Sequence, residues 1–138
     1  MRAPLCLTVV FLLACGASKQ QYVQRGNEFF AKGQLADATL NYRNALKKDP
    51  TYAEAHYRLG LLLNKEAKFS EALATLEKAV ALQPNHEAAR LVLAKLYLDG
   101  LIYLPTPPQP FYDKLQRLAQ DYLKADPKSF HGNRLLGH

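Results

Sequence analysis

The sequence has little of the residues that build covalent or metal-bound cores. It contains two cysteines, one methionine and no tryptophan among 138 residues. Two thiols cannot supply a disulfide framework or the four cysteine ligands of a structural zinc site. With 49% hydrophobic and 22% charged residues, the chain has the composition of a globular protein, and its length allows one ordinary domain.

The sequence also lacks the short motifs of catalysis and cofactor binding. It has no glycine-rich phosphate loop, no His-Glu-x-x-His pair and no Gly-x-Ser-x-Gly elbow. None of the four histidines has a second metal ligand one helical turn away; they are His56, His86, His131 and His138. We therefore expect no catalytic residue, no metal site and no cofactor, and a protein that is not an enzyme.

The charge is positive but not concentrated. The chain has 18 Lys and Arg against 12 Asp and Glu, a formal charge of +6. The basic residues are spread along the sequence, and no aromatic-basic signature of RNA binding accompanies them. We expect no nucleic-acid partner; the charge favours solubility or attraction to acidic surfaces.

The N-terminus has the layout of an export signal. Arg2 is followed by an uncharged run over 5–14 and then by small residues around Cys15. As a helix, ten residues rise about 15 Å, half of a bilayer core of about 30 Å, so a permanent membrane span is not expected. The run predicts a signal peptide over 1–14, which also contains Cys6.

The end of this run, Leu12-Leu13-Ala14-Cys15, resembles the lipobox of bacterial lipoproteins. The resemblance implies cleavage before Cys15 and lipidation of that residue, with 15–18 as a short tether. Several acyl chains on one residue would give the stable anchoring that one chain does not. An ordinary secretory signal with an incidental cysteine, or a buried apolar helix, is the alternative. Because Gly16 and not aspartate follows the cysteine, the resemblance favours the periplasmic face of the outer membrane in a diderm bacterium.

The rest of the chain repeats itself at an interval of 34 residues. This interval separates Asp49-Pro50 from Gln83-Pro84. Small residues recur at matching distances before the two prolines, namely Gly26 and Gly60, Ala38 and Ala72, and Ala45 and Ala79. Apolar residues at steps of three and four predict two amphipathic helices per unit. The small residues indicate where the helices of each pair approach closely.

This pattern resembles the tetratricopeptide repeat (TPR). The resemblance implies an all-α fold, a right-handed α-solenoid of helix hairpins over 19–138, with about three repeats and the start of a fourth. Their expected bounds are 19–52, 53–86, 87–129 with an insertion at 100–110, and a partial unit at 130–138. We expect Phe29, Phe69, Ala45 and Ala79 in the core.

The third unit departs from the pattern. The spacing from Pro84 to Pro127 is 43 residues, so the unit carries nine extra residues, and four prolines lie between 105 and 110. A second helix is predicted to start near Pro110. Leu115 and Tyr122 stand where earlier units have alanine, which puts the packing of this hairpin in doubt.

The chain then begins a fourth unit. Leu136-Gly137 stands at the distance from Pro127 at which Leu59-Gly60 stands from Pro50. Either a short terminal helix caps the array, or the sequence is a fragment of a longer array, which we favour because Arg134 and the leucines after it do not make a polar cap.

TPR proteins bind partners mainly on the concave face, which the first helix of each pair lines. The resemblance implies that a protein or peptide would meet three residues in each unit: Val23, Asn27 and Phe30; Tyr57, Leu61 and Asn64; Leu91, Lys95 and Leu98. Leu61 and Leu91 are equally explained by packing between helices. The face suits a peptide or helix with hydrophobic anchors.

One feature of the family does not carry over to this chain. TPR domains that clamp a chaperone's C-terminal carboxylate use basic residues where this chain has Val23, Ala88 and Val92, so that function is not carried over, although Asn27 matches.

A second candidate surface is the segment 101–104. It would anchor a protein if exposed, but such a segment more commonly folds back onto its own solenoid.

The leading hypothesis is a non-catalytic scaffold, exported and lipid-anchored to the cell envelope. The strings Arg43–Pro50 and Ala55–Gly60 resemble TPR lipoproteins associated with exopolysaccharide and protein-sorting systems. The alternatives are the N-terminal adaptor portion of a longer envelope enzyme and a lipoprotein that binds acidic glycans.

Overall fold

The computed structural model describes residues 16–137, which form seven α-helices and no strand. The predicted signal peptide and Cys15 lie outside the described residues. The helices are α1 (Lys19–Ala31), α2 (Leu35–Lys48), α3 (Ala53–Lys65), α4 (Phe69–Leu82), α5 (Glu87–Tyr103), α6 (Gln109–Ala125) and α7 (Phe130–Leu136). The all-α prediction is confirmed for this part of the chain.

The helices pack in the order in which they occur in the sequence. The main contacts of each helix are with the helices directly before and after it, and α1 also contacts α3. Three antiparallel hairpins, α1–α2, α3–α4 and α5–α6, therefore stack side by side, followed by α7. This is a solenoid of repeated hairpins, as the 34-residue interval predicts.

Small residues form the seam inside each of the first two hairpins. A methyl group on Gly26 would overlap the ring of Tyr42, and one on Gly60 would lie 2.6 Å from Cγ of Leu76. Because a large residue of the second helix lies against a glycine of the first, the two axes can approach closely. The predicted crossing points are confirmed.

The third hairpin solves the same packing problem differently. Ala94 takes the place of Gly60 and Ala119 that of Leu76, and both are buried. The large Leu115 and Tyr122, which replace alanines, are buried as well. In α6 the large side chains thus stand one turn before and one turn after Ala119, at Leu115 and Tyr122, and not at the position of Ala119 itself. With this exchange the hairpin forms, although the sequence put its packing in doubt.

The extra residues of the third unit mostly lengthen helices. α5 has 17 residues against 13 in α3, and α6 has 17 against 14 in α4. The loop between them is two residues longer than the loop in the preceding hairpin. The segment 100–103, predicted to interrupt the repeat, is thus the last turn of α5, and only 104–108 is non-helical.

Two predictions about this region are wrong. Phe69, expected in the core, begins α4 and is 56% exposed, because its ring points to the edge where α5 ends. The segment 101–104 does not fold back as a whole: Leu101 packs against the core, while Ile102, Tyr103 and Leu104 are exposed. Ala45 and Ala79 are fully buried as expected, and Phe29 is half-buried against the core.

The start of α1 is well defined. The Ser18 hydroxyl accepts a hydrogen bond from the Gln21 amide (3.2 Å), and the Gln21 side chain accepts one from the Ser18 amide (2.8 Å), a capping box. Lys19 then pairs with Asp49 just past the end of α2 (2.5 Å). In the described range, no helix combines the length and apolar character needed to cross a bilayer.

Candidate partner-binding groove

The first helices of the three hairpins, α1, α3 and α5, carry the predicted groove residues. Consecutive helices of a hairpin array run antiparallel, so these three are roughly parallel to each other and their facing sides form one surface. α7 continues this surface beyond α5. The residues on it differ in how much they offer to a partner.

In the first unit, the structure separates the three predicted residues. Val23 is only 5% exposed and belongs to the core, so little of its side chain is left for a partner. Asn27 is half-buried, and its Oδ1 accepts a hydrogen bond from the Tyr42 hydroxyl (2.9 Å). Phe30 is half-buried, with Lys65 Nζ 4.8 Å above its ring. Asn27 is thereby fixed, and Phe30 offers a ring edge beside a cation.

In the second unit, Tyr57 and Asn64 are half-buried, so part of each side chain is exposed. Two side chains lie close to the Tyr57 ring: the centroid of the His86 ring is 4.8 Å from its centroid, and Cζ of Arg58 is 5.2 Å from it. These neighbours fix the tyrosine ring in place before a partner arrives. Leu61 is also half-buried.

Glu54 ties these basic residues together. Its carboxylate accepts hydrogen bonds from Arg58 Nε (2.6 Å) and His86 Nε2 (2.9 Å). Burial raises the pKa of Glu54, but the hydrogen bonds from Arg58 and His86 outweigh burial, so the pKa lies below its ordinary value. His86 also caps α5, because its Nδ1 accepts from the Ala89 amide. The cluster therefore joins α3 to the start of α5.

In the third unit, the groove deepens into a cleft between α5 and α7. Leu91, Lys95 and Leu98 line one wall, and His131, Arg134 and Leu135 line the other. Lys95 pairs with Asp99 one turn later (2.5 Å). The cleft thus has an apolar floor, with Arg134 and the Lys95–Asp99 ion pair at its rim.

The prediction from sequence missed the α7 side of this cleft. The signal was available: Arg134 stands 43 residues after Leu91, as Pro127 stands 43 after Pro84, so it occupies the column of Tyr57 and Leu91. The register was overlooked because the fourth unit is represented only by its opening residues. Across residues 16–137, no cluster of three His, Cys, Asp or Glu side chains could hold a metal ion.

Two family models match the chain. A model described as TPR repeat matches residues 26–66, and one described as tetratricopeptide repeat matches residues 53–86. The second match has the bounds expected for the second repeat.

Curated relatives match the chain over part of their length. The mouse DnaJ homolog subfamily C member 3 is 35% identical over 86 residues, which is 61% of this chain and 17% of that protein. The peroxisomal targeting signal receptor of Komagataella phaffii is 33% identical over 66 residues, 48% of this chain and 12% of the receptor. The chain thus spans less than a fifth of the length of these relatives.

Solved structures share the fold over most of the chain. The TPR2B domain of yeast Sti1 in complex with pHsp70 superposes with a TM-score of 0.65 at 21% identity, covering 85% of this chain and 91% of that one. The first TPR of Spaghetti (RPAP3) bound to the HSP90 peptide SRMEEVD gives 0.61 at 20% identity, covering 86% and 88%. Residues 26–86 are thus matched by models of the tetratricopeptide repeat, and the solved structures of tetratricopeptide-repeat domains share the fold of the chain.

Proposed function

We propose that the protein is a non-catalytic scaffold that binds a segment of another protein in the groove formed by α1, α3, α5 and α7. The observation that carries this proposal is the cleft between α5 and α7. It continues the groove column, and it combines an apolar floor with a rim that carries Arg134 and the Lys95–Asp99 ion pair. Hydrophobic anchors with a few polar contacts are what peptide-binding grooves supply.

The solved neighbours that hold Hsp70 or HSP90 peptides support peptide binding by this fold. Their peptide is not proposed as the ligand here. The positions where carboxylate-clamping domains are basic hold Val23, Ala88 and Val92, and Val23 is buried. The cations that this chain does present, Lys95 and Arg134, lie at the cleft between α5 and α7 instead.

The second part of the proposal is export and attachment to a bacterial envelope through lipid on Cys15. Its support is the lipobox-like sequence, followed after only two residues by the Ser18 cap of α1. Cleavage at Cys15 would thus leave only a short tether before α1.

Crosslinking tests the groove. A photoreactive amino acid placed at Arg134, or at Tyr57, in the full chain is expected to capture one and the same protein. The matched control is Lys78, which is exposed on α4, a second helix of a hairpin. Equal capture from Lys78 and Arg134 would contradict the groove.

Metabolic labelling tests the anchor. Radiolabelled fatty acid is expected to enter the wild-type chain and the Cys6→Ser variant, which keeps Cys15. It is expected to be absent from Cys15→Ser. Label that persists in Cys15→Ser would contradict lipidation at this residue.

A further inference from the structure

A second cavity lies outside the groove, at the edge where α5 ends. Its volume is about 390 Å³, and it is enclosed by the start of α4, the last turns of α5 and the start of α6. The apolar side chains that line it are those of Phe69, Leu73, Leu96, Tyr103, Leu104 and Phe111. Cavities of this size accept a drug-sized molecule or a large side chain with its neighbours.

The apolar surface around this cavity is unusually exposed. Phe69 is 56% exposed, Tyr103 78% and Leu104 45%, and all three line the cavity. Isolated exposed apolar residues need no explanation, but a contiguous group beside a cavity is typical of an interaction site.

The repeat fold does not require this surface. One repeat earlier, the polar turn Glu66-Ala67-Lys68 between α3 and α4 stands at the corresponding edge. The residue equivalent to Phe69 there is Leu35, at the start of α2, which is half-buried. The third unit replaces that turn with another turn of helix and the loop 104–108. The cavity is thus a product of the extra residues in this unit.

Charge indicates which occupant fits. Asp99 is the one charged residue among those that line the cavity. Its partner Lys95 is largely exposed, and an exposed i,i+4 pair contributes little, so the carboxylate can turn to another cation. An apolar body with a cation beside it therefore matches the cavity, whereas an acidic peptide or an anionic headgroup would meet a like charge.

We propose that this cavity is a second docking site, which takes a segment of a partner protein that presents a large apolar side chain next to a lysine or arginine. Loop 104–108 contains three prolines, which limit the entropy lost when a partner binds. Most of its lining differs from that of the groove: Phe69 and Tyr103 line the cavity only, and Arg134 and Leu135 line the cleft only, while Asp99 lines both.

Selection from a phage library of random dodecapeptides, with the full chain as bait, tests the proposal. The selected peptides are expected to carry a large apolar residue with a Lys or Arg within one helical turn of it. Phe69→Ser should weaken their binding roughly tenfold or more, because an apolar anchor loses its contact. Arg134→Glu, the control in the groove, should change it less than about twofold. Replacing the peptide's basic residue with glutamine should also weaken binding.

Several results would overturn the proposal. They are peptides that bind Phe69→Ser as well as wild type, selected peptides without a basic residue, and the recovery of no peptide. A dimer of the chain that Phe69→Ser dissociates would show that a second copy occupies the cavity, which also overturns it. Peptides sensitive to Arg134→Glu alone would support the groove and not this site. Because Phe69 is exposed, the variant is expected to keep the wild-type melting temperature.

Discussion

At the scale of single residues, the two turns inside the first hairpins use the same backbone shape with different residues. Gly33 has φ of 74° and Ala67 has φ of 59°, both in the left-handed region. Alanine loses stability there because its Cβ crowds the carbonyl, whereas glycine does not. The 34-residue interval places Ala67 at the position of Gly33, but it does not indicate that Ala67 adopts the glycine conformation.

Ala67→Gly is therefore expected to stabilise the protein by about 0.5–1 kcal/mol, a gain reduced by the greater freedom of glycine in the unfolded chain. The measurement is the free energy of unfolding in urea. Gly33→Ala is the matched control and should be destabilised by about 1 kcal/mol, since its Cβ would meet no neighbour and only the backbone is strained. A loss of stability in Ala67→Gly would contradict the assigned conformation.

Tyr122 carries a buried hydroxyl without a hydrogen-bond partner among the described residues. Its ring packs under the Arg90 guanidinium, 3.7 Å from the ring centroid, a contact that phenylalanine would keep. Because a buried, unpaired hydroxyl costs about 1–3 kcal/mol, Tyr122→Phe is expected to raise the melting temperature.

Tyr97→Phe is the contrasting variant to Tyr122→Phe. It removes a hydroxyl that donates to Glu77, and it should lower the melting temperature. Equal effects of the two substitutions would contradict the assignment of the hydrogen bonds.

Asp49 gives a prediction on pH. The hydrogen bond from Lys19, with those from Thr51, lowers the pKa of this carboxyl from 3.8 to about 2. A carboxyl with a lowered pKa binds its proton more weakly in the folded state, so its contribution is complete above about pH 4 and is lost as the pH falls through about 2.

The difference in stability between wild type and Asp49→Asn should therefore be constant above about pH 4 and shrink between about pH 4 and 2. Urea unfolding at a series of pH values measures this difference, and an NMR titration of the Asp49 carboxyl checks the pKa directly. A difference that stays constant down to about pH 2 would show that the ion pair does not act on folding.

At the scale of elements, the seam between paired helices decides which substitutions α4 tolerates. Ala72 is fully buried against α3, while Ala74 lies on the exposed side of the same helix. Ala72→Leu is expected to overpack the hairpin and destabilise it by about 1–3 kcal/mol, and Ala74→Leu should leave stability nearly unchanged. Circular dichroism melts check both. An unchanged melt for Ala72→Leu would mean that the seam lies elsewhere.

The elements could be predicted well where a local pattern repeats. The hairpins, their seams and the start of α6 follow from amphipathic steps and from glycine, alanine and proline at fixed distances. The last turn of α5 could not be predicted in the same way, because its apolar residues suit a helix, a loop or the core equally well. The exposure of Phe69 depends on that turn, so its misplacement has the same origin.

At the scale of the whole molecule, the repeats are held together by contacts between successive hairpins. Glu54 in α3 holds Arg58 of the same helix and His86 at the cap of α5. In a solenoid, such interface terms add to the stability of each unit. The groove residues could be placed in columns from sequence, but their burial could not, because the burial of Val23 and Phe30 depends on how neighbouring helices cover them.

Removing this link should weaken the whole array. Glu54→Ala is expected to lower the free energy of unfolding by about 1–2 kcal/mol, since it leaves Arg58 and His86 without their shared acceptor. Glu71, which is exposed in the first turn of α4, provides the control. An equal loss in Glu71→Ala, measured by urea unfolding, would point to general charge effects instead.

The Ser18 cap has a consequence for motion. Only Gly16 and Ala17 separate it from Cys15. If Cys15 carries lipid, the three residue steps from Cys15 to Ser18 form a tether of at most about 10 Å. The domain would then stay close to the membrane surface, diffuse laterally with its anchor and encounter ligands in two dimensions. Because α1 and α5 are roughly parallel, the end of α5, about 25 Å along that helix, would lie farther from the anchor than its start.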